Sequence, residues 1–177
     1  DVHSVWLNST ALAREGFRSE DGVLRETDAF EISRRLNAVY SAHGDRAIMR
    51  AGEQAAARGI TGLVDFDMAW SAEAWPRRVQ AGFSSHRVEF AMYPFDLERA
   101  ISAGLRTGEL REEGDVPAPA RGLVHVGPLK VITDGSLGTR TAACSHSYPG
   151  DPDNFGMLTV PSDELVALLT RATGAGL

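Results

Sequence analysis

The chain has 177 residues, 43% of them apolar and 24% charged, proportions that fit a folded domain and exclude disorder as a description of the whole. Its 18 basic and 24 acidic residues leave a formal charge of −6, and the basic residues are scattered, so neither a nucleic-acid face nor an anionic-membrane face is expected. No apolar run reaches the roughly 20 residues a membrane helix needs, and Asp1-Val2-His3-Ser4-Val5-Trp6 lacks the basic-then-apolar layout of a signal peptide.

Ser9 to Ala13 begins a short helix that stops at Gly16, and Asp21-Gly22 marks a turn. From Thr27 to about Ala42, Phe30, Leu36, Val39 and Tyr40 predict an apolar helical face, capped by Thr27 or Asp28. Gly44-Asp45 is expected to break that helix, with Asp45 capping another that runs to Arg58 on the spacing Ile48, Ala51, Ala55 and ends at Gly59. Thr61 to Phe66 reads as a short buried strand. Ser71 starts the next helix, where Pro76 is tolerable only in the first turn, and Gly82 closes it. Arg87 to Tyr93 is a strand stopped by Pro94, and Asp96 caps a helix to about Arg106. After a Pro-containing loop from Gly114 to Arg121, Gly122–Val126 and Leu129–Thr133 are strand-like and split by Gly127-Pro128. A polar stretch from Asp134 to Asn154 leads to a last helix capped by Ser162.

Three strand-then-helix units in a row predict parallel β/α architecture, either an open doubly wound sheet or part of a barrel. Either form places chemistry at the C-terminal ends of the strands. Those ends carry Asp65 and Asp67, Tyr93 and Asp96, and Lys130 with Asp134.

Lys130 stands in an apolar run, where a charged ammonium costs several kcal/mol unless it is paired or neutralised. A desolvated lysine is a nucleophile, or takes up carbon dioxide as a carbamate that could bridge two metal ions. The alternative is an ion pair with a carboxylate. Asp134 is either a strand-end base or a turn former with Gly135. Gly135-Ser136-Leu137-Gly138 could offer backbone N–H groups to an anion, but its spacing is neither a Walker nor a dinucleotide loop, and a hinge is the preferred reading.

The histidines His3, His43, His86, His125 and His146 show no H-x-H or H-x-x-x-H spacing, so local sequence holds no self-contained zinc site. His43 and His86 read as surface residues. His3 stands in the more suggestive setting, near Trp6 and Asn8. Asp151-Pro152-Asp153-Asn154 reads as a turn, since it lacks the closing Glu of a calcium loop. The single Cys144 rules out an internal disulfide, is not placed as a nucleophile, and fits a reducing, cytoplasmic setting.

Four ordered stretches carry a family resemblance. Asp1-Val2-His3-Ser4-Val5-Trp6-Leu7-Asn8-Ser9-Thr10-Ala11-Leu12 is similar to D-x-H-S-x-W-x-N-S-x-A-L, and Asp21 to Glu26 resembles G-x-L-x-E. Gly59 to Asp65 looks like G-I-T-x-x-x-D, and Lys130 to Ala142 matches K-x-x-x-D-G-S-L-G-x-x-T-A. Tyr148 and Gly156 stand at later Tyr and Gly positions. Together they resemble the amidohydrolase superfamily, in its amidohydrolase-3 (YtcJ-like) branch.

The resemblance implies a metal-dependent hydrolase, with zinc the expected metal, acting on small-molecule amide-type, non-peptide C–N bonds through a metal-activated water. It implies a distorted (β/α)8 barrel, of which this chain supplies about three to four strand-helix units. Residues 1–45 are expected to form an arm or insertion outside the barrel, and 46–177 the incomplete barrel portion. Of the metal ligands only the lysine maps here, at Lys130, while His3, Trp6, Asn8 and Asp134 are implied on the substrate side. Trp6 also suits core packing, and Asn8 a helix cap.

The start without Met and the finish at Thr173–Leu177 read as cuts, so the chain is expected to be a central piece, inactive by itself and with no metal bound. Open sheet edges predict self-association. Two other readings stand beside this one: a non-catalytic α/β binding or assembly module, and a metal-free Schiff-base lysine enzyme.

Overall fold

The computed structural model describes residues 3–39, 41–112, 114 and 116–177. Asp1 and Val2 of the first motif and Tyr40 of the expected helical face lie outside the described residues, as do the side chains of Val39 and His43. The chain divides into two units, one formed by Asp1–Val39 with Ile132–Leu165, the other by Tyr40–Val131 with Val166–Leu177.

In the first unit, strands β1 (Ser4–Trp6) and β2 (Val23–Arg25) pair antiparallel, Val5 opposite Leu24. Helix α1 (Ser9–Glu15) lies between them in sequence. The Asn8 side chain accepts from the Ala11 amide at 2.9 Å, and Gly16 ends the helix at φ 78°. Helix α2 (Thr27–Val39) follows. Leu12, Leu24 and Ile32 form the buried core, with Val5, Leu7, Phe17 and Leu36 against it. The expected Phe30 stands instead beside the His3 ring, 5.5 Å away edge to face. Residues 132–161 contain no helix or strand and are held by loop hydrogen bonds, such as Met157 N–H to Thr141 at 2.9 Å and Thr159 N–H to Thr133 at 2.9 Å. A Cβ at Gly156 would run into the Ala142 carbonyl, and the backbone there has φ 72°, so both space and conformation demand glycine.

In the second unit, β3 (Gly62–Asp65), β4 (Arg87–Met92) and β5 (Val124–Leu129) form a parallel sheet in the order β3-β4-β5. Register sets Leu63, Val88 and Val124 side by side on one face, followed by Asp65, Phe90 and Val126. That face packs on α4 (Ser71–Gln80) and α5 (Leu97–Ser102) through Ala72, Trp75, Val79 and Ala100, with Ile48 and Met49 of α3 (Ser41–Ala56) at the margin. The alternate row, Val64, Glu89 and His125, lies on the other face, where Val64 is 51% exposed and Glu89 is also exposed. This face is open at Val64 and Glu89 and closes toward Ala91, which is 1% exposed. Helix α6 (Ser162–Gly174) ends the chain, and Leu177 packs on the second unit's core.

The structure corrects several expectations. Gly44-Asp45 lies inside α3 rather than breaking it, because the Asp45 carboxylate pairs with Arg77 and Arg78, each at 2.9 Å. On α3, Ala51 is exposed and Gly52 is buried, since a Cβ there would meet the Phe83 ring at 2.8 Å. β3 is an edge strand and not a buried one. Pro76 sits in the second turn of α4, not the first. A proline there leaves the Ala72 carbonyl without its helical amide, and the Arg111 guanidinium takes up that carbonyl at 3.4 Å. α5 ends at Ser102, and Asp96 makes no side-chain cap bond.

Gly127-Pro128 does not split two strands, and Leu129–Thr133 is not a separate strand. β5 runs through Gly127-Pro128 with a register shift opposite Phe90–Met92, which seats a proline that has no amide to donate. Gly127 is needed there because a Cβ would meet the Phe90 carbonyl at 2.6 Å. His86 is not on the surface: it is 1% exposed, stacked on Phe83 and bonded to Ser85 at 2.8 Å.

Candidate functional site

The C-terminal ends of the parallel strands gather Asp65, the last residue of β3, with Phe66 and Asp67 after it, Tyr93 after β4 and Lys130 after β5. Asp65 is fixed by its neighbours: one carboxylate oxygen accepts from Trp75 Nε1 at 2.6 Å and from Ser71 at 3.1 Å, the other from the Asp67 amide at 2.9 Å. These bonds tie the strand end to α4, so the carboxylate is oriented before any ligand arrives. Desolvation first, and then the charge of Asp65, hold the Asp67 carboxyl above the ordinary carboxylate range. Tyr93 donates to the Phe66 carbonyl at 2.7 Å, and burial together with the charges of Asp67 and Asp65 pushes its hydroxyl upward.

Lys130 follows directly on β5, its amide held by the Met92 carbonyl at 2.7 Å. Its side chain is exposed, and the ammonium stands 5.1 Å from the centre of the Phe66 ring. The apolar run suggested burial, but the strand stops one residue short of the lysine. The contact holding it is a cation–π contact.

A second cluster lies within the first unit. Glu26 ends β2 at φ 48°, a left-handed conformation uncommon outside glycine, and is 6% exposed. One carboxylate oxygen accepts from His3 Nδ1 at 2.9 Å; the other accepts from the Thr141 hydroxyl and from Thr139 at 3.3 Å. The Thr139 hydroxyl accepts from Ser136 at 2.8 Å and lies 2.6 Å from the Thr141 oxygen, so its single proton is shared between Glu26 and Thr141. Burial alone would raise the Glu26 carboxyl, but the hydrogen bonds from Thr141, His3 and Thr139 hold it below the ordinary range.

This network binds three of the quoted sequence stretches: His3 of the first, Glu26 of the second, and Ser136, Thr139 and Thr141 of the last. It also accounts for the Gly135-Ser136 segment. The Ser136 amide is taken by Thr141 at 3.1 Å, and a Cβ on Gly135 would collide with Thr141, so this glycine serves close packing. Asp134 accepts from the Ala143 amide at 3.2 Å. Trp6, for which core packing was an alternative, is 82% exposed. Asn8 caps α1.

Glu26 was not singled out as a candidate in the sequence. Its signal was the closing Glu of the G-x-L-x-E stretch, but its partners Thr139 and Thr141 lie 113 and 115 residues away. Among the described residues no three His, Cys, Asp or Glu side chains gather where a metal ion could sit. The donor set of the described residues therefore does not make a metal centre by itself.

Comparison with solved structures reveals the same fold in larger proteins. The chain is similar to an uncharacterized metal-dependent hydrolase from Pyrococcus horikoshii OT3, with TM-score 0.72 and 24% identity over 99% of this chain and 36% of that one. It is also similar to an uncharacterized metal-dependent hydrolase from Pyrococcus furiosus, with TM-score 0.68 and 22% identity over 99% of this chain and 37% of that one. At these identities the likeness shows the fold: a three-stranded parallel α/β sheet, with no closed barrel, that matches part of a larger hydrolase. The chain spans little more than a third of the length of these relatives. No family model and no curated protein matches it. Among the described residues no helix is long and apolar enough to cross a membrane.

Proposed function

We propose that this chain is a portion of a metal-dependent hydrolase of amide-type, non-peptide C–N bonds, built on a partial (β/α)8 barrel. The observation that carries the proposal is the superposition of nearly the whole chain on about a third of a metal-dependent hydrolase. The exposure of Val64 and Glu89 on the face away from α4 and α5 supports it, since a parallel sheet is stable with both faces covered and a barrel covers one of them with its own interior side chains. A barrel continuing past β5 would pair only beyond Val126, because Gly108–Arg111 already bonds along β5 before that point.

In this reading Lys130 is the metal ligand this portion supplies, as a carbamate, and the remaining donors come from other polypeptide. The side chains here do other work. Asp65, tied to α4, and Tyr93, tied to Phe66, stiffen the rim around Lys130. In the first unit Glu26 holds His3 in one orientation, and Trp6 offers an exposed ring for a substrate group, with Asn8 and Asp134 near it in role. The 177 residues alone hydrolyse nothing, and the zinc expected of the whole protein is held only when the other donors are present.

The test is zinc content and amide hydrolysis of the longer polypeptide against its Lys130→Ala variant. Loss of both metal and activity supports the assignment, and retention of both overturns it. The second reading, a non-catalytic binding or assembly module, draws on one observation: Lys130 is exposed on an aromatic ring with no donor cluster around it among the described residues.

A further inference from the structure

We propose that the face of the Phe66 ring, flanked by the Asp65 and Asp67 carboxylates, is a seat for a cationic amine on the substrate, and that the Lys130 ammonium occupies it as a stand-in. Lys130 is the only lysine in the sequence, and the other strongly basic side chains are all arginine. Its ammonium lies 5.1 Å from the centre of the Phe66 ring, within reach of a cation–π contact. The lysine comes from the β5 side and the ring from the end of β3. The face it covers is therefore turned across the end of β4, which lies between them, and not toward the outer edge of the sheet.

The seat is built without the lysine. Tyr93 donates to the Phe66 carbonyl at 2.7 Å and the Asp65 carboxylate takes the Asp67 amide at 2.9 Å, so the backbone on both sides of the ring is fixed. Asp65 is in turn tied to α4 through Trp75 and Ser71. Burial first, then the charges of Asp67 and Asp65, push the Tyr93 hydroxyl upward, so both carboxylates act at this same strand end. Arg78, whose charge also reaches Asp67, is engaged elsewhere: it pairs with Asp45 at 2.9 Å and lies over the Trp75 ring. A ring face with two carboxylates beside it attracts an ammonium and repels a carboxylate.

The position of the seat gives the substrate class. Phe66, Tyr93 and Lys130 stand at the C-terminal ends of parallel strands, where a β/α enzyme binds its substrate. This half of the inference rests on the hydrolase reading, in which Lys130 turns to the metal and leaves the ring. The substrate is then an amide that carries a positively charged amine on one arm, and that ammonium takes the place of the lysine's own.

The experiment is NMR titration of the 177-residue chain and its Lys130→Met variant with n-butylammonium, n-butanol and butyrate. In Lys130→Met the vacated ring should bind butylammonium about threefold or more tighter than butanol, with butyrate weakest and the shifts centred on Phe66 and the amides of 65–67. Adding Phe66→Leu should remove that preference, and Phe66→Trp in its place should restore it, a recovery that a merely structural ring would not give. Equal binding of butylammonium and butanol, or a preference indifferent to Phe66→Leu, overturns the seat. In the longer polypeptide, Phe66→Leu should raise KM about threefold or more for an amide with an ammonium arm relative to the same amide with a hydroxyl arm. An unchanged ratio overturns the substrate assignment. The two readings fail separately: zinc and activity retained without Lys130 sink the hydrolase assignment and leave the butylammonium preference standing, whereas loss of that preference alone sinks the seat.

Discussion

The two units are stabilised in opposite ways. The second is organised by apolar burial: Phe90, Val88, Val124 and Val126 are all at or below 2% exposure, and the helices lie on them. The first has a small apolar core of Leu12, Leu24 and Ile32, and its long segment 132–161 is held by polar contacts, with a buried carboxylate at their centre. Apolar burial is non-directional and survives modest repacking. A polar network is directional, and each group left unpaired costs nearly its full desolvation penalty. The second unit should therefore tolerate conservative changes of shape, and the first should fail when a single partner is removed.

The largest expected effect comes from making the second unit break at its centre. Phe90→Ala should cost about 3–5 kcal/mol, measured by denaturant unfolding, whereas Phe90→Leu should cost markedly less. In the first unit, Gly156→Ala forces a Cβ onto the Ala142 carbonyl and should cost about 1–3 kcal/mol or more by overpacking. Hydrogen exchange should show that loss in the 132–161 amides and leave those of β4 protected.

Glu26→Gln tests the network itself. It keeps the shape and removes the charge that His3, Thr139 and Thr141 address, and about 1–3 kcal/mol should be lost, again confined to the first unit. The pH dependence has a definite sign. The folded Glu26 carboxyl lies below its ordinary value, so its contribution is complete above the ordinary carboxylate range and disappears as pH falls through the lowered folded value. Acid should loosen β1–β2 in the wild type, and Glu26→Gln should flatten that part of the profile. The smallest effect is Asn8→Ala, which removes the cap of α1 and should cost about 1 kcal/mol.

The same contrast explains what could be read from sequence. α1 between Asn8 and Gly16, the left-handed Gly59 and strand β4 were legible, because caps, turns and apolar alternation are local. β5 was misread at Gly127-Pro128, since the residue that makes room for the proline is the Phe90 backbone across the sheet. Pro76 was misjudged for a similar reason: the carbonyl it strands is met by Arg111, 39 residues from Ala72. His86 reads as polar in sequence, and only the fold reveals Phe83 and Ser85 around it. Of the candidate site, the strand-end positions of Asp65, Tyr93 and Lys130 followed from the parallel pattern. The Glu26 network did not, because every bond to the Glu26 carboxylate comes from 23 or more residues away.

The most direct test of the central claim, that this chain is one portion of a metal-dependent hydrolase, is to read the coding sequence on both sides of Asp1 and Leu177. The account predicts an H-x-H pair upstream and histidine-bearing strands downstream, which would supply the donors that do not gather around Lys130. A reading frame that contains neither would contradict it, and the assembly-module reading would then stand.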